Sequence, residues 1–374
     1  MIKKLLISAC YIFVLLLYLP VARAAIPAQD GQAEPPKIYT IYNIAMDETA
    51  VTSSKARDIA LKKAQRIALD RLFRKILRGG DYDSLPILTD AEVSDLVSGL
   101  EIAGEKTSYV RYIADFTVHF SRDKIYHFLS ARNIPFAETL SRPVSILAVL
   151  EKDGTTVLWE KSNDWRAAWR EYDTANNLVP VRVIGPSLAN RLALTAWQAR
   201  QGDRAALQKF ADRRAIRRLY IMNARIRNDL ALGRKTLELT ITGNNDEDKF
   251  TTIIDSGEGE EDLTALYDAA ISRATYWLDN RWKEKVLVHF GESSLLKVEI
   301  RFDRPGDWFV IRKKLEAISL IRDITYSRLA LGVGEVAMEY SGDIEQITLA
   351  LDQKNLMLTP PSDKGALSVV RLKK

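Results

Sequence analysis

The chain has 374 residues, of which 47% are apolar and 28% are charged. This composition is ordinary for a globular protein and excludes the fibrous and disordered classes. The formal net charge of +5 overstates the basicity, because the first 24 residues contain three basic side chains and no acidic one. Without them, 51 Lys and Arg residues stand against 49 Asp and Glu residues. A net charge of +2 gives no general attraction for nucleic acid, so we expect no nucleic-acid partner.

Residues 1–24 have the features of a secretory signal peptide. Two lysines precede an apolar run over 5–19, and Ala22 and Ala24 place small residues at the −3 and −1 positions of a cleavage site. We therefore expect export to the periplasm, with cleavage after Ala24. A linker is predicted over 25–36, which contains three prolines and no apolar periodicity.

Two other interpretations of this N-terminal segment keep the protein at the membrane. Residues 5–22 number 18, near the lower limit of about 17–25 for a membrane span, so an uncleaved anchor is the alternative. Cys10, the only cysteine, fits the short pattern at which bacterial lipoproteins are acylated, but acylation there leaves 11–19 as an apolar N-terminus. Pro20 favours cleavage instead. After cleavage at Ala24 no cysteine remains, and no disulfide can form.

Apolar periodicity predicts three small modules of α+β or α/β character. The first, residues 37–141, has the order β-α-α-β(β)-α. Its long first helix carries alanines every three or four residues and stops at Gly79, which indicates close packing against a sheet. Thr89 and Glu92 form a capping box for a shorter helix. The other predicted elements are strands over 38–46 and 109–120 and helices that begin at Ser53 or Ser54 and at Ser121.

The second module, residues 142–290, alternates strands with helices, which predicts an α/β layer with a partly parallel sheet. Asp153 and Gly154 predict a hairpin turn, and Asn163 or Asp164 predicts the start of a helix. The predicted strands cover 144–150, 156–160, 179–184, 219–226, 236–242 and 250–254. The later predicted helices cover 188–199, 203–211 and 263–281.

The third module, residues 291–374, has the β-α-β-β-α-β order of a ferredoxin-like fold. Asp307 and Asp343 are the predicted caps of its two helices. The predicted strands cover 295–302, 324–331, 336–340, 356–358 and 367–372.

The sequence contains no recognisable catalytic, cofactor or metal site. The three histidines, His119, His127 and His289, have no second His or Cys at a metal-ligand spacing, and we interpret them as structural. No nucleophile elbow and no phosphate-binding loop occur, and Gly332 and Gly334 lie in a predicted hairpin. We therefore expect no catalytic residue, no cofactor and no metal ligand, and a protein that is not an enzyme.

One acidic segment partly resembles a calcium-binding loop. Asn244, Asp246 and Asp248 occupy its first alternate positions and Asp255 its twelfth. Lys249 replaces the glycine that such a loop requires at its sixth position. We interpret the segment as a solvated hairpin tip.

Two stretches are candidates for binding. The basic stripe of the first helix suits anionic lipid headgroups or an acidic partner, or it is a solvated helix face. The basic stripe consists of Lys55, Arg57, Lys62, Lys63, Arg66, Arg71, Arg74, Lys75 and Arg78. Trp165, Trp169 and Tyr172 form an aromatic stripe that suits stacking on cell-wall sugars or packing in a core. The solvated face and the core are the favoured interpretations.

The order of several motifs resembles a bacterial exported family, domain of unknown function 2066. The motifs are the alanine helix with Ala56, Ala60, Ala64 and Ala68-Leu69, then Tyr112 with Phe116, Val118 and Phe120, Trp159 with Asn163-Asp164-Trp165, Gly202-Asp203 with Leu207, Trp308, and Tyr340 with Gly342-Asp343. The similarity spans most of residues 37–360. That family has no assigned activity, so the resemblance implies export and no catalytic residues. The middle module also resembles the α/β modules of envelope proteins, such as TolB N-terminal domains and the lipoprotein activators of peptidoglycan synthases. This second resemblance implies protein docking.

Well-formed modules behind an export signal, without a catalytic cluster, predict a non-enzymatic cell-envelope protein that acts as a protein-binding or scaffold module. Two alternatives remain at this point. One is an envelope carbohydrate-acting enzyme or glycan-binding protein, which as a retaining glycosidase needs two carboxylates about 5–5.5 Å apart. The other is a peripheral protein of the membrane surface. The sequence assigns neither the identity of the partner nor an oligomeric state.

Overall fold

The computed structural model describes residues 37–229, 234–243, 248–255, 263–288, 293–318, 320–361 and 367–373. The predicted signal peptide and linker lie outside these residues, as do Asn244, Asp246 and His289. The described residues form a mixed α+β fold in which helices cover several small sheets, as the apolar periodicity predicts. None of their helices is both long and apolar enough to cross a membrane.

The first module is a three-stranded antiparallel sheet covered by one long helix. Its strands are β1 (Thr40–Thr49), β2 (Val97–Thr107) and β3 (Arg111–Phe120), in the order β1-β3-β2. Its helices are α1 (Ser53–Ile76), α2 (Gly79–Asp83), α3 (Asp90–Leu96) and α4 (Arg122–Ser130). Ala56, Ala60 and Ala64 on α1 are fully buried, so the close helix–sheet contact predicted from the alanine spacing is confirmed. The capping box of Thr89 and Glu92 is also present, at the start of α3.

The N-cap of helix α1 lies one residue before the earlier of its two predicted caps. Thr52, not Ser53 or Ser54, is the N-cap, and its hydroxyl accepts a hydrogen bond from the Lys55 amide at 3.2 Å. All three residue types can cap a helix. Thr52 has an extended backbone, and starting the helix directly after it adds the bond from the Ala56 amide to the Thr52 carbonyl. The predicted order allows for a second strand here, but no range was predicted for β2, because its largely exposed side chains do not alternate clearly in polarity.

The middle module is a six-stranded, partly parallel sheet, as predicted. Its path is β10-β9-β8-β5-β6, and β7 also pairs with β5; β5 is parallel to both β7 and β8. The strands are β5 (Val144–Lys152), β6 (Thr155–Val157), β7 (Val181–Val183), β8 (Leu219–Asp229), β9 (Arg234–Gly243) and β10 (Lys249–Asp255). The helices are α5 (Asp164–Glu171), α6 (Leu188–Ala193), α7 (Ala196–Gln201), α8 (Arg204–Asp212) and α9 (Leu263–Val286). A short pair, β4 (Phe136–Ala137) with β11 (Leu287–Val288), joins the end of the first module to the end of α9.

The predicted helix over 188–199 is wrong in one respect, because the structure divides it into α6 and α7. Leu194, between the two helices, is buried, and its carbonyl accepts a hydrogen bond from Trp159 Nε1 at 2.7 Å. The chain therefore turns inward at this residue. Thr195 then caps α7 through a capping box with Gln198.

The third module has the predicted order of elements, and its five strands match the five predicted ones. Its elements are β12 (Ser293–Arg301), α10 (Pro305–Glu316), β13 (Ile321–Ala330), β14 (Val333–Ser341), α11 (Ile344–Gln353), β15 (Leu356–Thr359) and β16 (Ser368–Leu372). The sheet order is β13-β14-β12-β16-β15, so β16 folds back on β15 and inserts parallel to β12. Asp343 caps α11 as predicted. Asp307 is three residues inside α10, because Pro305 occupies the first helical position that suits proline.

One hydrophobic core is continuous through the first two modules, across position 141. It joins the inner face of α1, the three-stranded sheet, and the face of the six-stranded sheet that α5 and α9 cover. A second core lies on the opposite face of the six-stranded sheet, beneath α6 to α8. The third module has a core of its own. A shared core makes the first two modules one packed body.

Buried charged groups also connect the first two modules. Lys283 on α9 donates hydrogen bonds to the carbonyls of Arg74 and Leu77, at 2.6 and 2.7 Å, where α1 ends. A cation at a helix C-terminus is favoured by the helix dipole. Asp279, one turn earlier on α9, accepts from the Val179 amide at 2.9 Å and provides the negative charge near Lys75 and Lys283.

The two buried lysines predict how stability depends on pH. Burial lowers the pKa of Lys75 and of Lys283 to about 8, although Asp279 opposes the shift. Between pH 8 and 10 the unfolded lysines hold protons that the folded ones have lost, so these two groups make the free energy of unfolding rise with pH. The slope is at most about 1.4 kcal/mol per pH unit for each lysine. Urea unfolding across this window is expected to give a flatter slope for Lys283→Met than for the native chain. Equal slopes would contradict the assignment.

Candidate functional site

Those of the singled-out histidines and acidic residues that the structure describes do not converge on a metal site. His119 on β3 lies between Thr40 Oγ1 and Glu101 Oε1, each 3.0 Å from one of its ring nitrogens. His127 on α4 lies edge-on to Tyr126. Within the residues that the structure describes, no group of three His, Cys, Asp or Glu side chains is placed to hold a metal ion.

The described part of the calcium-like segment uses its carboxylates in ion pairs. Asp248 Oδ1 lies 3.0 Å from an Arg281 guanidinium nitrogen, and Asp255 Oδ2 lies 2.8 Å from one of Arg234. Both carboxylates are therefore engaged in ion pairs with arginines of the fold.

The aromatic stripe lies in the core. Trp165 and Trp169 are at most 2% exposed, and Trp165 Nε1 donates to the Met222 carbonyl at 2.9 Å. Their rings contact each other edge to face, and Trp165 also contacts Tyr267 on α9. A buried indole offers no face to a sugar, so this stripe gives no support to a glycan site.

The basic stripe of α1 is largely neutralised by ion pairs. Lys75 is buried beside Asp279. Five other members of the stripe pair with carboxylates: Arg57 with Glu105, Lys63 with Glu48, Arg66 with Asp90, Arg74 with Asp70, and Arg78 with Asp81. Partners from β1, β2 and the segments after α1 supply most of these carboxylates. The stripe therefore has far less free charge than the helix sequence suggests.

A groove on the open face of the six-stranded sheet has the clearest binding character. Side chains alternate along β9, so Leu239 and Ile241 are buried towards α9 while Thr240 and Thr242 point to the opposite face. Helices α7 and α8 cover this opposite face at β5, β6 and β8. The uncovered part of β9 and β10 and the sides of α7 and α8 enclose a groove of about 360 Å³.

The walls of this groove are cationic and its floor is apolar. Arg200 on α7, Arg204 on α8 and Lys249 on β10 line it, and none of the other described lining residues carries a carboxylate. Leu207, Ala211, Leu219 and Ile221 form the floor, and Thr240, Thr242, Gln201 and Gln208 supply neutral polar groups. We call this surface the cationic groove. Its chemistry suits a ligand with both an anionic and an apolar part.

The local sequence explains why the cations meet at this place. Gly202 ends α7 in the left-handed conformation, with φ of 67°, and Asp203 immediately caps α8 by accepting from the Ala206 amide at 3.1 Å. The chain therefore reverses between two helices within two residues. Arg200 and Arg204, on either side of this turn, both reach the groove.

Arg200 is held by a buried carboxylate at one end of the groove. Its Nε lies 2.7 Å from Glu151 Oε2, and Arg225 approaches the same carboxylate at 3.1 Å while Asn223 donates to it at 2.7 Å. Burial alone raises the pKa of Glu151, but hydrogen bonds from Asn223, Arg200 and Arg225 outweigh it and hold the pKa below its usual range. Glu151 is therefore a fixed anion that orients Arg200. A carboxylate in this state cannot act as a general acid.

A second, smaller pocket of about 280 Å³ adjoins the groove through Arg200. Glu151, Asp153 and Arg225 line it together with the hairpin between β5 and β6. It contains two carboxylates, the pattern expected of a glycosidase. However, Glu151 is already held as an anion by two arginines, so it cannot be the proton-donating member that glycoside hydrolysis requires.

The groove was not predicted from the sequence. The Thr-Leu-Glu-Leu-Thr-Ile-Thr alternation of 236–242 indicates a strand with one polar face, and Arg200 and Arg204 are four residues apart. Both signals are common on solvated surfaces. Only the sheet order, which leaves β9 and β10 uncovered by α7 and α8, turns them into a site.

Comparison of the chain with models of known protein families gives no match, and comparison with curated protein sequences finds no relative.

Proposed function

We propose that this protein is a non-enzymatic binding protein of the bacterial cell envelope, exported through residues 1–24, that docks an acidic segment of a partner protein in the cationic groove. The observation that carries the proposal is a groove of about 360 Å³ with three cations and, among its described lining residues, no carboxylate. The resemblance to domain of unknown function 2066 and to envelope docking modules supports export and docking.

The rigidity of the groove supports binding rather than turnover. Glu151 fixes Arg200, and the groove floor belongs to the core beneath α6 to α8. Preorganised cations bind an anion at a smaller entropic cost than mobile ones. Among the residues that the structure describes, the polar groups that line the groove are cations, amides and hydroxyls, and none of them is a base that could activate a hydroxyl.

Charge reversal in the groove is expected to abolish docking. Lys249 is exposed on β10, so Lys249→Glu leaves the core intact while it places a carboxylate opposite the acidic partner. We expect a photo-crosslinker at Thr242 to give a discrete adduct with an envelope protein, and Lys249→Glu to lower its yield about tenfold or more. Added salt is expected to weaken the same adduct.

The matched control is Lys209→Glu, an exposed lysine of α8 that does not line the groove. Its adduct is expected to equal that of the native chain. If Lys249→Glu and Lys209→Glu behave alike, or if the adduct is insensitive to salt, docking of an acidic segment in this groove is wrong.

A further inference from the structure

Helices α6 and α7 carry a cluster of exposed apolar side chains. Leu188, Leu192 and Trp197 are 75%, 80% and 63% exposed, all within ten residues of chain. Single exposed leucines are common on proteins, but an exposed tryptophan within ten residues of two exposed leucines favours an interaction surface. We call these three residues the apolar patch.

The apolar patch adjoins the cationic groove. Trp197 precedes Arg200 by three residues and Gln201 by four on α7, so all three share one side of the helix. Arg200 and Gln201 line the groove. Leu188 and Leu192 are one turn apart on α6, and Leu192 is five residues from Trp197, within about 18 Å even for an extended chain.

The patch is held on a rigid base. Ser187 caps α6 by accepting from the Asn190 amide at 3.0 Å, and Arg191 donates to the Trp159 carbonyl at 2.9 Å. Leu194 and Ala199 anchor the two helices in the core below. Exposed anchors on a fixed base lose little conformational freedom when a partner covers them.

We propose that the partner is an amphipathic protein segment in which apolar anchors lie next to acidic side chains, with the anchors on the apolar patch and the acids in the cationic groove. This inference rests on the proposed docking function and specifies the chemistry of its partner. Charge complementarity selects the acids, because the described walls of the groove are cationic. The exposed indole of Trp197 and the side chains of Leu188 and Leu192 favour a partner with apolar side chains that pack against them.

A folded segment fits this surface better than a bilayer. Arg200 is two-thirds buried and paired with Glu151 inside the concavity between α7, α8 and the sheet. A flat membrane surface cannot enter such a concavity, whereas the side chains of a single protein segment can. Trp197 lies one turn before Arg200 on α7, so apolar and acidic side chains of one segment can reach both.

Selection of short random peptides on the folded protein tests the inference. We expect the selected sequences to combine Leu, Trp or Phe at helical spacing with neighbouring Asp or Glu. Trp197→Ser is expected to weaken binding of a selected peptide about 30-fold or more, measured by fluorescence anisotropy. The matched control is Phe309→Ser, an equally exposed aromatic residue of the third module, which is expected to leave the affinity unchanged.

The outcomes separate this inference from the proposed function. If Lys249→Glu abolishes peptide binding and Trp197→Ser has no effect, the groove docks acidic segments and the apolar patch plays no part. If Trp197→Ser abolishes binding and Lys249→Glu has no effect, the proposed function of the groove is wrong. Selected peptides without acids, or no selected peptide at all, overturn the inference. Trp197-dependent flotation on phosphatidylglycerol vesicles, or a Trp197-dependent dimer in sedimentation, also overturns it by assigning the patch to lipid or to a second copy.

Discussion

Replacing Asp279 with alanine is expected to lower the free energy of unfolding by about 3–5 kcal/mol. Asp279 is buried on α9, where its carboxylate accepts from the Val179 amide at 2.9 Å and from Asn177 Nδ2 at 3.0 Å. It also provides the negative charge beside Lys75 and Lys283, both of which are buried. Alanine removes this negative charge from beside the buried ammonium groups of Lys75 and Lys283. It also removes the hydrogen-bond acceptor of the buried Val179 amide. Urea unfolding at neutral pH measures the loss.

The matched control is Asp268→Ala, which removes an exposed carboxylate from the same helix. A surface change of this kind is expected to alter stability by no more than about 0.5 kcal/mol. Equal losses for the two variants would show that Asp279 does not join the first two modules through a buried ionic cluster. Asp279 is on α9 in the middle module and Lys75 is on α1 in the first module. A large loss of stability would therefore also support the core that these two modules share.

Trp165→Ala is expected to destabilise the protein by about 3–5 kcal/mol, because it removes a fully buried indole from the core between α5, α9 and the sheet. The substitution also leaves the Met222 carbonyl without its Nε1 donor. Chemical unfolding measures this difference directly. A loss below about 1 kcal/mol would place Trp165 at the surface and restore the glycan interpretation.

Trp197→Ala is the matched control for this second change. Trp197 is 63% exposed on α7, so its removal is expected to change stability by no more than about 0.5 kcal/mol. A large loss of stability for Trp165→Ala and a small one for Trp197→Ala would show that Trp165 packs in the core and that Trp197 does not. It also shows that variants of the apolar patch stay folded for binding experiments.

Local signals in the sequence were sufficient for most of the fold. The alanines of α1, the capping box of Thr89 and Glu92, and the Asp343 cap depend on residues within one or two helical turns. The parallel pairing of β5 with β8 follows from the alternation of strands and helices. These elements could be predicted because each depends on residues near in sequence.

Features that depend on distant residues could not be predicted. The basic stripe of α1 looks cationic in sequence, but carboxylates from other segments, such as Glu48 and Glu105, neutralise much of it. The insertion of β16 beside β12 depends on which edge of the third sheet is free. The break between α6 and α7 depends on Trp159, 35 residues earlier.

The candidate site also depends on residues that are distant in sequence, and it could not be predicted. Arg200, Arg204 and Lys249 are brought together by the sheet order and by the limited reach of α7 and α8, and no motif marks them. The aromatic stripe, in contrast, is conspicuous in sequence and lies in the core. Conspicuous residues with helical spacing are therefore poor guides to the site in this chain.

Hydrogen exchange of the full chain, with and without a selected acidic amphipathic peptide, shows whether the cationic groove and the apolar patch form the binding site. The cationic groove and the apolar patch predict slower exchange over 188–208 and over 240–243 and 248–251, and unchanged exchange in the first and third modules. Protection confined to α1 or to the third module, with none over 188–208, would contradict the assignment of the groove as the binding site.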